Sequence, residues 1–434
     1  MVYSERFPLS FDATYLGKLQ LQHTRPKVLL PRLHSLRLDG ESLSAMFKEK
    51  GYVCSSLTPP SLRSLYLTGS ISRALGPQIQ GAFKHVKHLC MRGPSHRHDL
   101  KELHRFPPLI KLELSLDQTA IPLAFSEMGR FDELTELEVM CSKSYREGEP
   151  EQGDYKSGFP SLQRLKVSAP LTCLTKFLPS IASTAIVNVD IEVKESTSFD
   201  DVQLMLGALC SRNAETLTHL SLAVSEPNIN NPRKNPVPTT RFRDFVADIL
   251  SCPNLVHLDL SIYGQIFSMT DSDVVAMQDA WPQLEHLSIG CNYYTSTTKS
   301  KARPTRPSVH TLVTLAENCI ALSTLRLETR NVTKTDLQKL RTRLAKSDGP
   351  LQGSLRRIGL AASDRSDTFT IADAKGLARI LQEMFPGLEG VREYRRRRRR
   401  EETRPQESIW YDGHGYRDST NLLEAFDDVW PPRY

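Results

Sequence analysis

The chain has 434 residues, with 56 Lys and Arg against 50 Asp and Glu, so it nets +6, and residues 391–404 alone supply +5 of this through eight arginines and three glutamates. The rest is close to neutral, which excludes the general basic character that a nucleic-acid ligand requires, and no apolar run approaches the ~20 residues of a membrane span. The eight cysteines (54, 90, 141, 173, 210, 252, 291 and 319) stand singly with no C-x-x-C pair, which excludes a zinc ribbon and fits reduced thiols in a cytoplasmic or nuclear protein.

In chain order, residues 1–15 form an N-terminal segment, and a leucine phrase, L-x-x-L-x-L, opens at Leu16-Leu19-Leu21. It returns about every 30 residues. The clear copies are Leu33-Leu36-Leu38, Leu62-Leu65-Leu67, Leu109-Leu112-Leu114, Leu217-Leu220-Leu222, Leu255-Leu258-Leu260 and Leu322-Leu325-Leu327. Variants fall at Val86-Leu89-Met91, Leu134-Leu137-Val139, Leu162-Leu165-Val167, Ile186-Val189-Ile191, Leu284-Leu287-Ile289 and Leu355-Ile358-Leu360, with a degenerate copy at Leu388-Val391. Apolar residues at the first, fourth and sixth positions need a neighbouring repeat to be buried, so the phrase predicts parallel strands stacked into one extended domain over residues 16–390.

Several phrases share a lead-in: Phe106-Pro107, Phe159-Pro160, Cys252-Pro253, Trp281-Pro282 and Phe385-Pro386. Proline lacks an amide donor and fixes its own φ, so it belongs at the entry to a strand. Between phrases, apolar residues recur at helical spacing over Phe199–Leu209, Phe242–Leu250, Val274–Trp281, Leu312–Cys319, Leu337–Leu344 and Ile371–Phe385, with one stripe of Ile371, Ala374, Leu377, Ala378 and Leu381. These helices are expected on the convex side of a curved α/β solenoid whose parallel sheet lines the concave side. Polar insertions at 142–158, 225–240 and 292–308 are expected as surface loops at the strand ends. His96, His98, Asp99 and His104 read as a polar loop leading into a short helix. Residues 391–434 form an Arg-rich, then acidic and aromatic tail. Within it Arg395, Arg396, Arg397, Arg398, Arg399 and Arg400 are a nuclear-import candidate, and the remainder is a candidate cap for the last repeat.

The phrase, its length and its lead-in resemble the leucine-rich repeats of fungal F-box-type proteins, over nearly the whole chain. The resemblance implies a substrate receptor of a cullin-type ubiquitin ligase, with a Skp adaptor and cullin as partners. In that family an F-box of about 40–50 residues, the size of a small helical bundle, precedes the repeats. Only fifteen residues precede Leu16 here, so a truncated relative or a free repeat scaffold is the corresponding expectation.

Alternation along a strand places the third and fifth residues of each phrase on the exposed face. The third position runs Ser35, Ser64, His88, Lys111, Glu136, Arg164, Asn188, His219, His257, His286, Thr324, Arg357; the fifth runs Arg37, Tyr66, Cys90, Glu113, Glu138, Lys166, Asp190, Ser221, Asp259, Ser288, Arg326, Gly359. From these columns a protein ligand is expected to meet Arg37, Tyr66, His88, Lys111, Glu113, Glu136, Glu138, Arg164, Lys166, His219, His257, Asp259, His286 and Arg326, with the strand-end loops. Basic residues (Arg37, Arg63, Lys87, Arg92) precede acidic ones (Glu113, Glu136, Glu138), a mixed pattern that suits a protein better than a polyanion. The three histidines form a column suited to ligand contact or pH-sensitive binding. Strands lie about 4.8 Å apart, so its outer members stand roughly 10 Å apart, no carboxylate or cysteine completes the set, and no metal or other cofactor is expected. With no nucleophile elbow, phosphate-binding glycine loop or H-E-x-x-H, the chain reads as non-catalytic. The alternatives to a ligase receptor are a scaffold and an enzyme regulator.

Overall fold

The computed structural model describes residues 9–10, 32–39, 60–68, 83–95, 103, 106–116, 124–125, 128–141, 157–194, 199–224, 239–263, 266–292, 305–329, 332–346, 354–362 and 371–388. Two compact units emerge, Met1–Leu217 with Val224–Glu226, and Thr218–Ala223 with Pro227–Tyr434.

In the first unit the strands are β1 (Leu9–Ser10), β2 (Ser35–Asp39), β3 (Ser64–Thr68), β4 (His88–Ser95), β5 (Lys111–Leu116), β6 (Glu136–Cys141), β7 (Arg164–Ala169) and β8 (Asn188–Val193). They lie side by side in sequence order, all parallel. Helices α1 (Leu171–Ser180) and α2 (Phe199–Asn213) pack on each other. The second unit orders β9 (His219–Val224), β11 (His257–Tyr263), β13 (His286–Asn292), β14 (Thr324–Thr329) and β15 (Arg357–Ala362) in the same way. A separate parallel pair is made by β10 (Thr239–Arg241) and β12 (Ile266–Ser268). Helices α3 (Phe242–Val246), α4 (Asp271–Ala280), α5 (Val309–Asn318), α6 (Lys334–Lys346) and α7 (Ile371–Met384) alternate with these strands. This is leucine-rich-repeat architecture, an α/β array of parallel strands and helices.

Register follows the phrase. Leu36 pairs with Leu65, Leu65 with Leu89, Leu89 with Leu112, Leu112 with Leu137, Leu137 with Leu165 and Leu165 with Val189. All are buried, giving one continuous rung, and each fully buried leucine contributes about 1.5–3 kcal/mol. At ten junctions between described strands one carbonyl accepts two successive amides of the next repeat; Thr218 O, for example, accepts from the amides of Val256 and His257. This fork holds neighbouring strands in step just before the ladder begins.

The lead-in has a physical reason. The Trp281 amide still donates to Met277 O as the end of α4, while its carbonyl accepts from the Leu284 amide, closing a turn. Cys319 does the same between Leu315 and Leu322, and Phe385 between Leu381 and Leu388. One residue ends the helix and opens the turn, and a proline next in line, as after Trp281 and Phe385, disfavours helical ψ at that residue. Its side chain enters the core: Trp281, Phe159, Cys252, Cys319 and Phe385 are all buried.

Some details differ from the sequence reading. The place beside β2 is taken by Leu9–Ser10, and the phrase at Leu16-Leu19-Leu21 lies outside the described residues. So do the boundaries expected near residues 15 and 390, most of the three insertions, the His96–His104 segment and the tail. Helix α1, absent from the segments expected from helical spacing, is buried through Leu171, Cys173, Leu174, Phe177 and Leu178, and it carries Pro179. These five residues share one face of a ten-residue helix that follows β7 directly, so the stripe is short and adjoins the apolar end of the strand.

Candidate functional site

The face opposite the leucine rungs is built from the third and fifth positions, as their register shows. In the first unit Ser64, His88, Lys111, Glu136, Arg164 and Asn188 form one row, and Tyr66, Cys90, Glu113, Glu138, Lys166 and Asp190 the other. Arg37 pairs with Tyr66 at the start of the second row; Arg37, Tyr66, His88 and Arg164 are exposed.

Charges on this face answer one another across strands. Lys111 Nζ lies 2.9 Å from Glu113 and 3.6 Å from Glu136; Arg164 stands 3.1 Å from Glu136, Lys166 3.0 Å from Glu138 and Arg92 3.5 Å from Glu113. Blocks that look separately basic and acidic in sequence are thus partly neutralised within the sheet. Burial would raise the Glu113 carboxyl, but the hydrogen bond and charge of Lys111, with Cys90 and Arg92, outweigh it and hold the carboxyl below its ordinary range. Burial lowers Lys111, and the hydrogen bond and charge of Glu113 reverse that, so the ammonium is raised. Burial, then the adjacent Glu113 charge, push the Cys90 thiol up to about 12. Cys90 and Arg92 therefore belong to the same cluster, which a reading of exposed columns alone assigns to Glu113 and Lys111.

In the second unit the imidazoles of His219 and His257 stack with centroids 5.7 Å apart and 17° between planes; those of His257 and His286 stack at 4.1 Å and 5°. The column expected from sequence is present. Burial, followed by the proximity of His219, lowers His257. Burial, then His257, Arg357 and Arg326, lower His286 to about 4. Both rings are neutral near pH 7 and able to ligate or accept hydrogen bonds.

The expectation that no carboxylate completes this column needs correction. Asp259 follows His257 by two residues on the same face, and one ligand atom each from His257, Asp259 and His286 lies within 4.8 Å of the others. Within the second unit the third-position column contains no acid, and the partner stands in the neighbouring fifth-position column. Arg326 sits beside this group, paired in register with Ser288. The arginine run 395–400 lies outside the described residues.

No family model matches the chain, and no curated protein does either. Among solved structures, an internalin from Listeria monocytogenes is similar at 12% identity, over 87% of this chain and 91% of that one, with a TM-score of 0.42.

Proposed function

We propose that this chain is a non-catalytic binding protein whose open sheet face, together with the strand-end loops, holds another protein. The observation that carries the reading is the unbroken register of third- and fifth-position side chains from β2 to β8. It presents polar, charged and aromatic groups in two straight rows on a rigid sheet. Their ion pairs are partly exposed, and such pairs contribute about 0–1 kcal/mol each. Exchange of these pairs for a partner's charges therefore costs little, while complementary charge sets the docking register.

The finer reading is a substrate receptor of a cullin-type ubiquitin ligase, acting in the cytoplasm or nucleus. The residue pair that ends a helix and opens the next strand supports it, because that lead-in is part of the resemblance to F-box-type repeats. A scaffold or enzyme regulator uses the same face without ubiquitin transfer.

A photo-crosslinking amino acid at position 111 or 136, compared with one at Val275 on the exposed side of α4, tests the face in native cells. Partners joined at 111 or 136 and missing at 275 are expected; the reverse pattern overturns the proposal. Mass spectrometry of the products then separates the finer readings. A Skp adaptor and cullin point to the ligase receptor, and stable partners without them point to the scaffold. For localisation, replacing Arg395–Arg400 with alanine should exclude the protein from the nucleus if the run directs import.

A further inference from the structure

Strand β11 carries His257 and Asp259 two residues apart, and β13 places His286 directly opposite His257. We propose that His257, Asp259 and His286 form a binding site for a divalent transition-metal ion of the zinc type on the open face of the second unit. This goes beyond the protein-binding reading and does not depend on it.

The donor set selects the metal class. Two imidazoles and one carboxylate suit zinc, cobalt, nickel or copper, whereas calcium and magnesium require mainly oxygen ligands. The frame is built before the ion arrives: β11 and β13 are in register from His257 and His286 through Tyr263 and Asn292, so the two histidine backbones are fixed one strand spacing apart. Their rings stack in parallel within 5°, so the in-plane lone pairs run side by side and at least one ring must turn about its side-chain bonds before both face one ion. Donor atoms within 4.8 Å of one another need to close to about 3.3 Å around a tetrahedral ion with bonds near 2.0–2.1 Å. Side-chain rotation supplies that movement without a shift of the sheet. All three residues are partly buried, which removes some of the water that competes for the ion.

The surroundings set its limits. His219 stacks on His257, and its Nδ1 lies 2.7 Å from the Thr218 hydroxyl, so Thr218 orients this ring as a wall of the site. Arg326 and Arg357 reach His286 from the other side and oppose a cation. Affinity is therefore expected below that of closed four-ligand sites, with a dissociation constant roughly micromolar. Three protein ligands leave a coordination position for water or for a donor from a bound partner.

The test uses the tag-free full chain near neutral pH, with Zn2+ followed by calorimetry and Co2+ by its visible absorption. One equivalent is expected. His286→Ala and Asp259→Asn should each weaken binding by about tenfold or more, and His219→Ala by less than about threefold. Circular dichroism of each variant checks that the fold is kept, and Asp259→Asn, which preserves shape, serves if an alanine variant does not fold. Absence of Zn2+ binding, or undiminished binding in a His257→Ala/His286→Ala double variant, would overturn the site. Neither result bears on partner crosslinking at 111 or 136, so the two proposals fail separately.

Discussion

At the residue scale, two positions show how closely neighbouring repeats are fitted. A Cβ built on Gly158 would lie 2.4 Å from the Gly129 carbonyl oxygen, a backbone atom that cannot swing aside. Gly158 also donates to Ser180 O and accepts from the Ala182 amide, and the next residue, buried Phe159, has φ of 61°, in the left-handed region. Such a backbone conformation costs on the order of 1–3 kcal/mol and persists because surrounding packing enforces it; here Phe159 meets Phe177 edge-on at 5.7 Å. Gly158→Ala is expected to destabilise the chain by about 2 kcal/mol or more in urea unfolding. Gly376→Ala, within α7 with its nearest contacts at 3.7 Å, should instead stabilise it by up to about 1 kcal/mol. The buried Cys90 thiol, pushed up to about 12, gives a second prediction. Since only the thiolate reacts, iodoacetamide at mildly alkaline pH should label Cys90 in the folded chain on the order of a thousandfold more slowly than in urea, read by peptide mapping. Equal rates would show that burial and the adjacent Glu113 charge do not protect it.

At the element scale the repeating unit is strand, helix and a single hinge residue. Trp281 is that residue between α4 and β13, fully buried, with its indole donating to Ile249 O at 3.3 Å. Trp281→Ala should cost about 3–5 kcal/mol by leaving a cavity. Pro282→Ala should cost less than about 1 kcal/mol, because the turn's hydrogen bond from Leu284 to Trp281 does not use the proline. Chemical unfolding of both variants measures the contrast, and similar losses would assign the turn to proline stiffness. The strands were legible in sequence because the leucine phrase specifies both spacing and face, and the copies from β2 to β8 and from β11 to β15 pair in register. Helix starts were less so. Helices α4 and α6 begin at Asp271 and Lys334, ahead of the apolar positions Val274 and Leu337 that reveal their periodicity. Their first turns are polar and are fixed by reciprocal caps, Thr270 with Asp273 and Thr333 with Asp336. The alignment of the two rows was equally legible, although Cys90 and Ser288 within them are buried, whereas the grouping of Asp259 with two histidines was not, since it joins two columns and depends on how stacked rings settle.

For the whole molecule, net charge conceals a division. Residues 405–434 hold six acidic residues against Arg417 and Arg433, offsetting most of the +5 of residues 391–404, so residues 1–390 themselves net +5. That modest excess does not form a basic sheet face: Lys111, Lys166, Arg92 and Arg164 are each engaged with a glutamate on the same or an adjacent strand. Arg395–Arg400, by contrast, are six consecutive cations. Polyanion binding by this chain should therefore belong to the run and not to the repeats. If all six arginines meet phosphates, the slope of log affinity for duplex DNA against log salt should be about −5, since each neutralised phosphate contributes roughly −0.9. Changing the six to glutamine should abolish measurable binding at low salt while leaving Zn2+ uptake and thermal stability unchanged. A variant that still binds DNA with a steep salt slope would place the phosphate contacts on the repeats and turn the open face from a protein-binding surface into a nucleic-acid one.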